Sequence, residues 1–137
     1  MKFSKTRPVK IVQLGAGGTG GHIAPHLYRL LYSLGRPARY VICDGDVVEE
    51  KNLVRQNFTP ADLGENKAQV LAERYSIVFG METAYIPYFV ETEERLKDLL
   101  APTHFWIRRP NSYEQDCMEE MVILRCMLWT AIGWPGT

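Results

Sequence analysis

The chain has 137 residues, 46% hydrophobic and 23% charged, enough for one globular domain but not for two. Its 16 Lys and Arg balance its 16 Asp and Glu, so no net basic field exists to hold nucleic acid or an anionic membrane by counterion release. The most apolar stretch, 121–134, is broken by Arg125 and is shorter than the roughly 20 residues that span a bilayer; residues 1–7 lack a signal-peptide core, so the chain is expected to be cytoplasmic, with neither nucleic acid nor membrane as partner.

Val9 to Leu14 is a β-branched run that stops at Gly15-Ala16-Gly17-Gly18-Thr19-Gly20, and beyond it Ile23, Leu27, Leu30, Leu31 and Leu34 recur at helical spacing. Strand, glycine loop and helix in this order suit an anion: glycines let backbone N–H groups approach it, and the helix start adds unpaired donors and a positive dipole end. The alternative is a tight turn that serves packing alone. Pro25 falls early in this helix, where its ring and missing N–H are expected to make the first turn irregular. After Gly35-Arg36-Pro37, the run Arg39 to Asp44 reads as a second strand ending in an acid, which completes a βαβ unit. Asp44 at that end is placed to accept hydrogen bonds from ribose hydroxyls. The alternative is that Asp44 and Asp46 only initiate the turn through Gly45.

A dehydrogenase would continue into another helix and strand. This chain instead gathers amide, guanidinium and ammonium groups in Asn52-Leu53-Val54-Arg55-Gln56-Asn57 and Gly64-Glu65-Asn66-Lys67. Arg55 offers a planar fork to phosphate and Lys67 a point charge, a combination suited to a triphosphate rather than a nicotinamide. The reading therefore moves from NAD to ATP.

Together these elements resemble the ThiF, MoeB and ubiquitin-activating-enzyme superfamily over about residues 8 to 80. Its glycine loop, acid-x-acid strand end, Asn-Leu-x-Arg-Gln segment and Gly-x-x-Lys stand here in order as Gly15 to Gly20, Asp44 and Asp46, Asn52 to Gln56, and Gly64 to Lys67. The run Gly20 to Tyr28 is most similar to the ThiF-type proteins of the PRTRC gene cluster. The resemblance implies adenylation, in which a protein's C-terminal carboxylate attacks the α-phosphate of ATP and releases pyrophosphate. It implies that Gly15, Gly17, Gly18 and Gly20 shape the phosphate loop, with Asp44 and Asp46 on the nucleotide. It further implies that Asn52, Arg55, Gln56 and Lys67 line the phosphates, Arg55 and Lys67 acting catalytically on the developing charge. The partner it implies is a small ubiquitin-like or sulfur-carrier protein, with ATP and Mg as cofactors and a homodimer as the assembly.

Farther along, Val70, Leu71, Arg74, Ile77 and Val78 suggest an amphipathic helix, Thr83 to Val90 a third strand, and Thr92 the cap of a short helix carrying Leu96, Leu99 and Leu100. The family then places a buried strand whose Asp-Asn end binds Mg, and no such motif follows; no Mg ligand is identifiable in this chain. Residues 101–137 show neither clean periodicity nor a family motif. Trp129-Thr130 is encoded TGG ACN, which read two bases later contains GAC, and the shifted frame restores an Asp-centred sequence. The tail is therefore expected to be an out-of-frame reading of a longer gene, with the shift after Leu100.

Cys43, Cys117 and Cys126 form no Cys-x-x-Cys pair, and His22 and His26, four apart, have no evident third ligand, so no metal site is expected. The expected fold is α/β, a Rossmann-like three-layer arrangement on a mainly parallel sheet, incomplete at its C-terminal end. Residues 1–100 form the ATP-binding unit and 101–137 an atypical tail. The alternatives are a non-catalytic nucleotide-binding or interaction module from a truncated gene, and a fragment of an NAD-dependent oxidoreductase.

Overall fold

A computed structural model describes residues 9–35, 38–81, 83–100 and, as backbone, 120–125. Strand β1 (Val9–Leu14) leads into helix α1 (Gly18–Leu34) and strand β2 (Ala38–Cys43). Two short 3-10 turns, Glu50–Asn52 and Pro60–Asp62, precede helix α2 (Lys67–Phe79). Strand β3 (Thr83–Ile86), helix α3 (Glu93–Leu100) and strand β4 (Glu120–Arg125) complete the described chain. The four strands lie in the order β3-β2-β1-β4, all parallel, with Leu14 opposite Cys43 on one side and Arg125 on the other. This is the Rossmann-like α/β architecture expected. Strand order reverses at β1, and in open α/β sheets the crevice beyond the strand ends at such a reversal is where ligands bind.

The period of two along each strand sends alternate residues to opposite layers. Val9, Ile11, Tyr40 and Ile42 pack under α1 and α2, whereas Val12, Leu14, Val41 and Cys43 pack with Ile86, Val90 and Leu99 on the α3 side. Lys10, buried on that second side, sends its ammonium to Leu99 O in the last turn of α3, where carbonyls lack helix partners.

Three expectations shift. The buried stripe of α1 is Gly20, Gly21, Ala24, Tyr28 and Leu31, while Leu30 and Leu34 face solvent. Small residues bring the first turns of the helix close to the sheet, and Tyr28 fills the space behind them, its ring against Tyr40, Tyr75 and Phe79. In α2 the same aromatic cluster draws Tyr75 and Phe79 inward, which leaves Ile77 and Val78 exposed. Strand β3 ends at Ile86 rather than Val90, because Pro87 has no N–H to continue a ladder. Beyond it Phe89 crosses the end of β2 so closely that a Cβ on Gly45 would lie 2.7 Å from its ring.

Part of the tail is ordered into the sheet. Met121 to Leu124 is a continuous apolar run, as strands buried on both faces are, and its backbone occupies the place beside β1. Cys117, Cys126 and the three tryptophans lie outside the described residues. Among the described residues no helix is long and apolar enough to cross a membrane.

Candidate nucleotide site

The glycine loop opens at Gly15, whose φ of 101° lies where side-chain-bearing residues are strained, and whose N–H still donates to Cys43 O at 2.8 Å. It closes at Gly20, where a Cβ would stand 2.1 Å from Gly15 O, so only glycine lets the helix double back over the strand end. Gly17 and Gly18 differ. A Cβ on Gly17 would make ordinary contact with the Gln56 amide, and one on Gly18 would meet nothing within 4 Å. The space in front of the loop is open, and α1 begins there with neither a side-chain cap nor an acid in its first turn. Its leading N–H groups are thus available to an anion. Pro25 does not disturb this start: α1 runs unbroken from Gly18, and Pro25 sits about two turns in.

Asp44, at the end of β2, is buried, and its carboxylate reaches back to the loop. Ala16 N donates to Oδ2 at 2.6 Å and Asp46 N to Oδ1 at 2.8 Å. The turn role weighed for Asp44 is therefore real, and the bond to Ala16 adds a second role, holding the glycine loop against β2. Burial pushes the Asp44 carboxyl up, against the pull of these two N–H groups. Each oxygen retains a lone pair for a further donor. Asp46 is more exposed and lies 3.5 Å from Lys67 Nζ.

Lys67 is placed by the start of α2. Asn66 caps that helix through Gln69 N and ties it to the β2 turn, donating to Asp44 O at 2.8 Å and Asp46 O at 3.2 Å. Lys67 N also donates to Asp46 O, so the buried Lys67 side chain is led toward the acids. Asn52, buried at the end of the first 3-10 turn, accepts from Glu49 N through Oδ1, and its carbonyl takes Arg55 N and Gln56 N. Its observed work is to shape the turn that presents the next residues. Arg55 is exposed and its guanidinium makes no hydrogen bond or ion pair among the described residues. Gln56 lies against Gly17, with a buried Oε1 that has no donor among the described residues.

The glycine loop, both acids, Asn52, Gln56 and Lys67 thus gather beyond the ends of β1 and β2, with Arg55 on the adjoining turn. An open space at Gly18 and an uncapped helix start fit a polyphosphate whose oxygens accept from the free N–H groups, while the Gln56 Oε1, itself an acceptor, calls for a donor such as water. No group of three or more potential metal ligands occurs among the described residues. A cavity of about 540 Å³ bounded by Ile86, Tyr88, Val90, Arg95, Asp98 and Leu99 includes none of the loop residues and is a separate feature beside β3.

Sequence reasoning missed two organising residues. Gln13, fully buried, donates from Nε2 to Gly15 O at 2.8 Å and Gly20 O at 3.1 Å, joining the two ends of the loop, while the Tyr40 hydroxyl donates to its Oε1. A lone amide in an apolar strand two residues before the glycines was the available signal. Asn57 is the second: its side chain donates to Gly21 O and Tyr75 Oη. His22 Nε2 meets Arg55 O at 3.0 Å.

Residues 2–105 match the ThiF family. Among solved structures, E. coli MccB with ATP is similar with a TM-score of 0.54 and 26% identity, over 66% of this chain and 26% of that one. MccB with AMPCPP and MccA is similar to the same extent, with a TM-score of 0.54 and 26% identity over 66% of this chain and 26% of that one. PaaA, at 24% identity and a TM-score of 0.56 over 69% of this chain and 29% of that one, shares the fold. The chain spans about a quarter of the length of MccB. No curated protein matches it in sequence.

Proposed function

Since the chain belongs to the ThiF family, we propose that it carries the ATP-binding part of an adenylating enzyme acting on a polypeptide C-terminal carboxylate. The observation that carries this reading is the open space at Gly18, faced by the uncapped start of α1 whose leading N–H groups are free to donate. Gly15 and Gly20 hold the loop in shape, Gly17 continues it beside Gln56, and Gly18 leaves room for phosphate. Asp44 takes the ribose on its remaining lone pairs, with Asp46 beside it. Arg55, Lys67, Asn52 and Gln56 surround the phosphates, and the two cations stabilise charge as pyrophosphate leaves. The attacking carboxylate oxygen forms the bond to the α-phosphorus while the bond to the bridging oxygen of pyrophosphate breaks. Mg enters with ATP.

The substrate in this reading is a small ubiquitin-like or sulfur-carrier protein, and the similarity of MccB, solved with ATP and with MccA, supports a polypeptide acceptor. The run Gly20 to Tyr28 supports a place beside the PRTRC-type members; a cytoplasmic location and a homodimer belong to the same reading.

A second reading, a nucleotide-binding module without catalysis, is favoured by one observation. At the end of β4, opposite Leu14, stands Arg125, where the family resemblance calls for an acid that binds Mg. We read residues 101–137 as an out-of-frame tail; sequencing the locus tests it, and a shifted frame closed by stops overturns it.

The test of function is calorimetric titration of the full chain with ATP and Mg, with NAD as competitor. Saturable ATP binding, weakened about tenfold or more by Arg55→Ala and by Lys67→Met, is expected from the loss of a charge-assisted contact. A folded protein that binds neither nucleotide refutes the reading. Exchange of labelled pyrophosphate into ATP, measured with a small ubiquitin-like carrier protein supplying the C-terminal carboxylate, then separates the enzyme from the silent module.

A further inference from the structure

Pro25 lies inside α1, so Gly21 O, four residues earlier, has no backbone N–H to close its turn. Gly21 is buried, and water is a poor substitute there. The donor comes from another part of the chain: Asn57 Nδ2 lies 3.0 Å from Gly21 O, and the same amide donates to Tyr75 Oη at 2.7 Å. The backbone is held as well, since Arg74 Nη1 donates to Asn57 O at 3.1 Å. A Cβ on Gly21 would lie 3.5 Å from Asn57 Cβ, so helix and turn are already in close approach. One residue before Gln56, Arg55 O lies 3.0 Å from His22 Nε2, and because a carbonyl only accepts, the imidazole nitrogen donates. Two bonds therefore join α1, which begins at the glycine loop, to the turn that bears Arg55 and Gln56.

We propose that Asn57 is a positioning residue: its amide supplies the hydrogen bond that Pro25 cannot, and that bond fixes Arg55 and Gln56 against the phosphate loop. The proposal rests on the reading of that loop as the ATP site. Neither half of the pair suffices alone. In a Pro25→Ala chain the helix closes its own turn, and the Asn57 amide is no longer needed to satisfy Gly21 O. With Pro25 in place, loss of the amide leaves a buried carbonyl without a donor.

This asymmetry separates packing from positioning. Thermal unfolding and ATP titration are measured on the full chain for wild type, Pro25→Ala, Asn57→Ala and the double variant. Asn57→Ala is expected to lower Tm by about 5 °C beside Pro25 and by less than half of that in the Pro25→Ala background. Its Kd for ATP with Mg is expected to rise roughly tenfold in both backgrounds, because the tether of the turn is lost in both. An equal Tm loss in the two backgrounds overturns the assignment of the amide to the Pro25 gap. Recovery of affinity together with stability in the double variant reduces Asn57 to a filler and overturns positioning. If Asn57→Ala fails to fold while the double variant folds, the hydrogen-bond assignment is supported, and affinity is read from Pro25→Ala against the double variant. A wild type that binds no ATP overturns the function and the positioning together, while the Tm comparison still decides the hydrogen bond.

Discussion

Gln13→Met would test whether the glycine loop is held by one side chain. Methionine has nearly the volume and length of glutamine, so the substitution leaves packing almost unchanged and removes three hydrogen bonds: those to Gly15 O and Gly20 O, and the one received from Tyr40. Gly20 O lies at the start of α1 and keeps the helix ladder, whereas Gly15 O, buried, has no other donor among the described residues. Leaving that carbonyl unpaired costs about 1–3 kcal/mol, and the two other bonds add about 1 kcal/mol each. The sum, about 3–5 kcal/mol, is a large part of the stability of a domain of this size and corresponds to a fall in Tm of about 10–15 °C. Tyr40→Phe, which removes one of the three bonds, should cost about a third as much. Differential scanning calorimetry of the two variants against wild type gives the answer. A Gln13→Met protein within about 2 °C of wild type would show that the loop keeps its shape without the amide, and the argument from buried pairing would fail.

Gly18→Ala and Gly20→Ala should separate space kept for a ligand from space filled by the fold. A Cβ at Gly20 strikes Gly15 O at 2.1 Å, so that variant should unfold or lose Tm sharply; at Gly18 nothing lies within 4 Å, so that variant should keep its Tm yet bind ATP more weakly. Equal loss of stability in both would contradict the geometry. Burial raises the Asp62 carboxyl, but Arg74 and Thr59 outweigh it and hold the group below the usual carboxylate range. A depressed pKa stabilises the fold above the unfolded value of about 4 and is lost as pH falls through the folded value. The Tm difference between wild type and Asp62→Asn should therefore be full near neutrality and shrink in acid; a difference independent of pH would sink the assignment. Asp44, raised by burial, carries the opposite sign, with a cost that appears as pH rises from about 4 to its folded value. The Cys43 thiol is pushed up to about 12, first by burial and then by the Asp44 charge. Mild alkaline iodoacetamide should leave the Cys43 peptide unmodified in the native chain and label it in guanidinium, as peptide mass mapping would show.

The sequence alone determined the path from β1 through the glycine loop to β2, because these are local matters: a β-branched run, a glycine cluster and an amphipathic helix are each set by neighbouring residues. Strand β1 and the Thr92 cap of α3 stand where the pattern put them, with Arg95 N donating to Thr92 Oγ1. The candidate site residues were legible as types at fixed spacing, and the fold gathers most of them beyond the strand ends. What tertiary structure alone decided is which side each helix buries and what holds the loop. The α1 stripe follows Gly20, Ala24 and Tyr28 rather than the leucines, since close approach to the sheet and an aromatic cluster outweighed hydrophobicity. Gln13 and Asn57 gained their roles from acceptors supplied elsewhere: two loop carbonyls for Gln13, and for Asn57 a carbonyl 36 residues away in sequence. The place of β4 beside β1 was equally hidden, because a short apolar run states that a strand is buried and says nothing of which neighbour it joins. Pairing between distant segments depends on the assembled sheet, and no local pattern of residues encodes it.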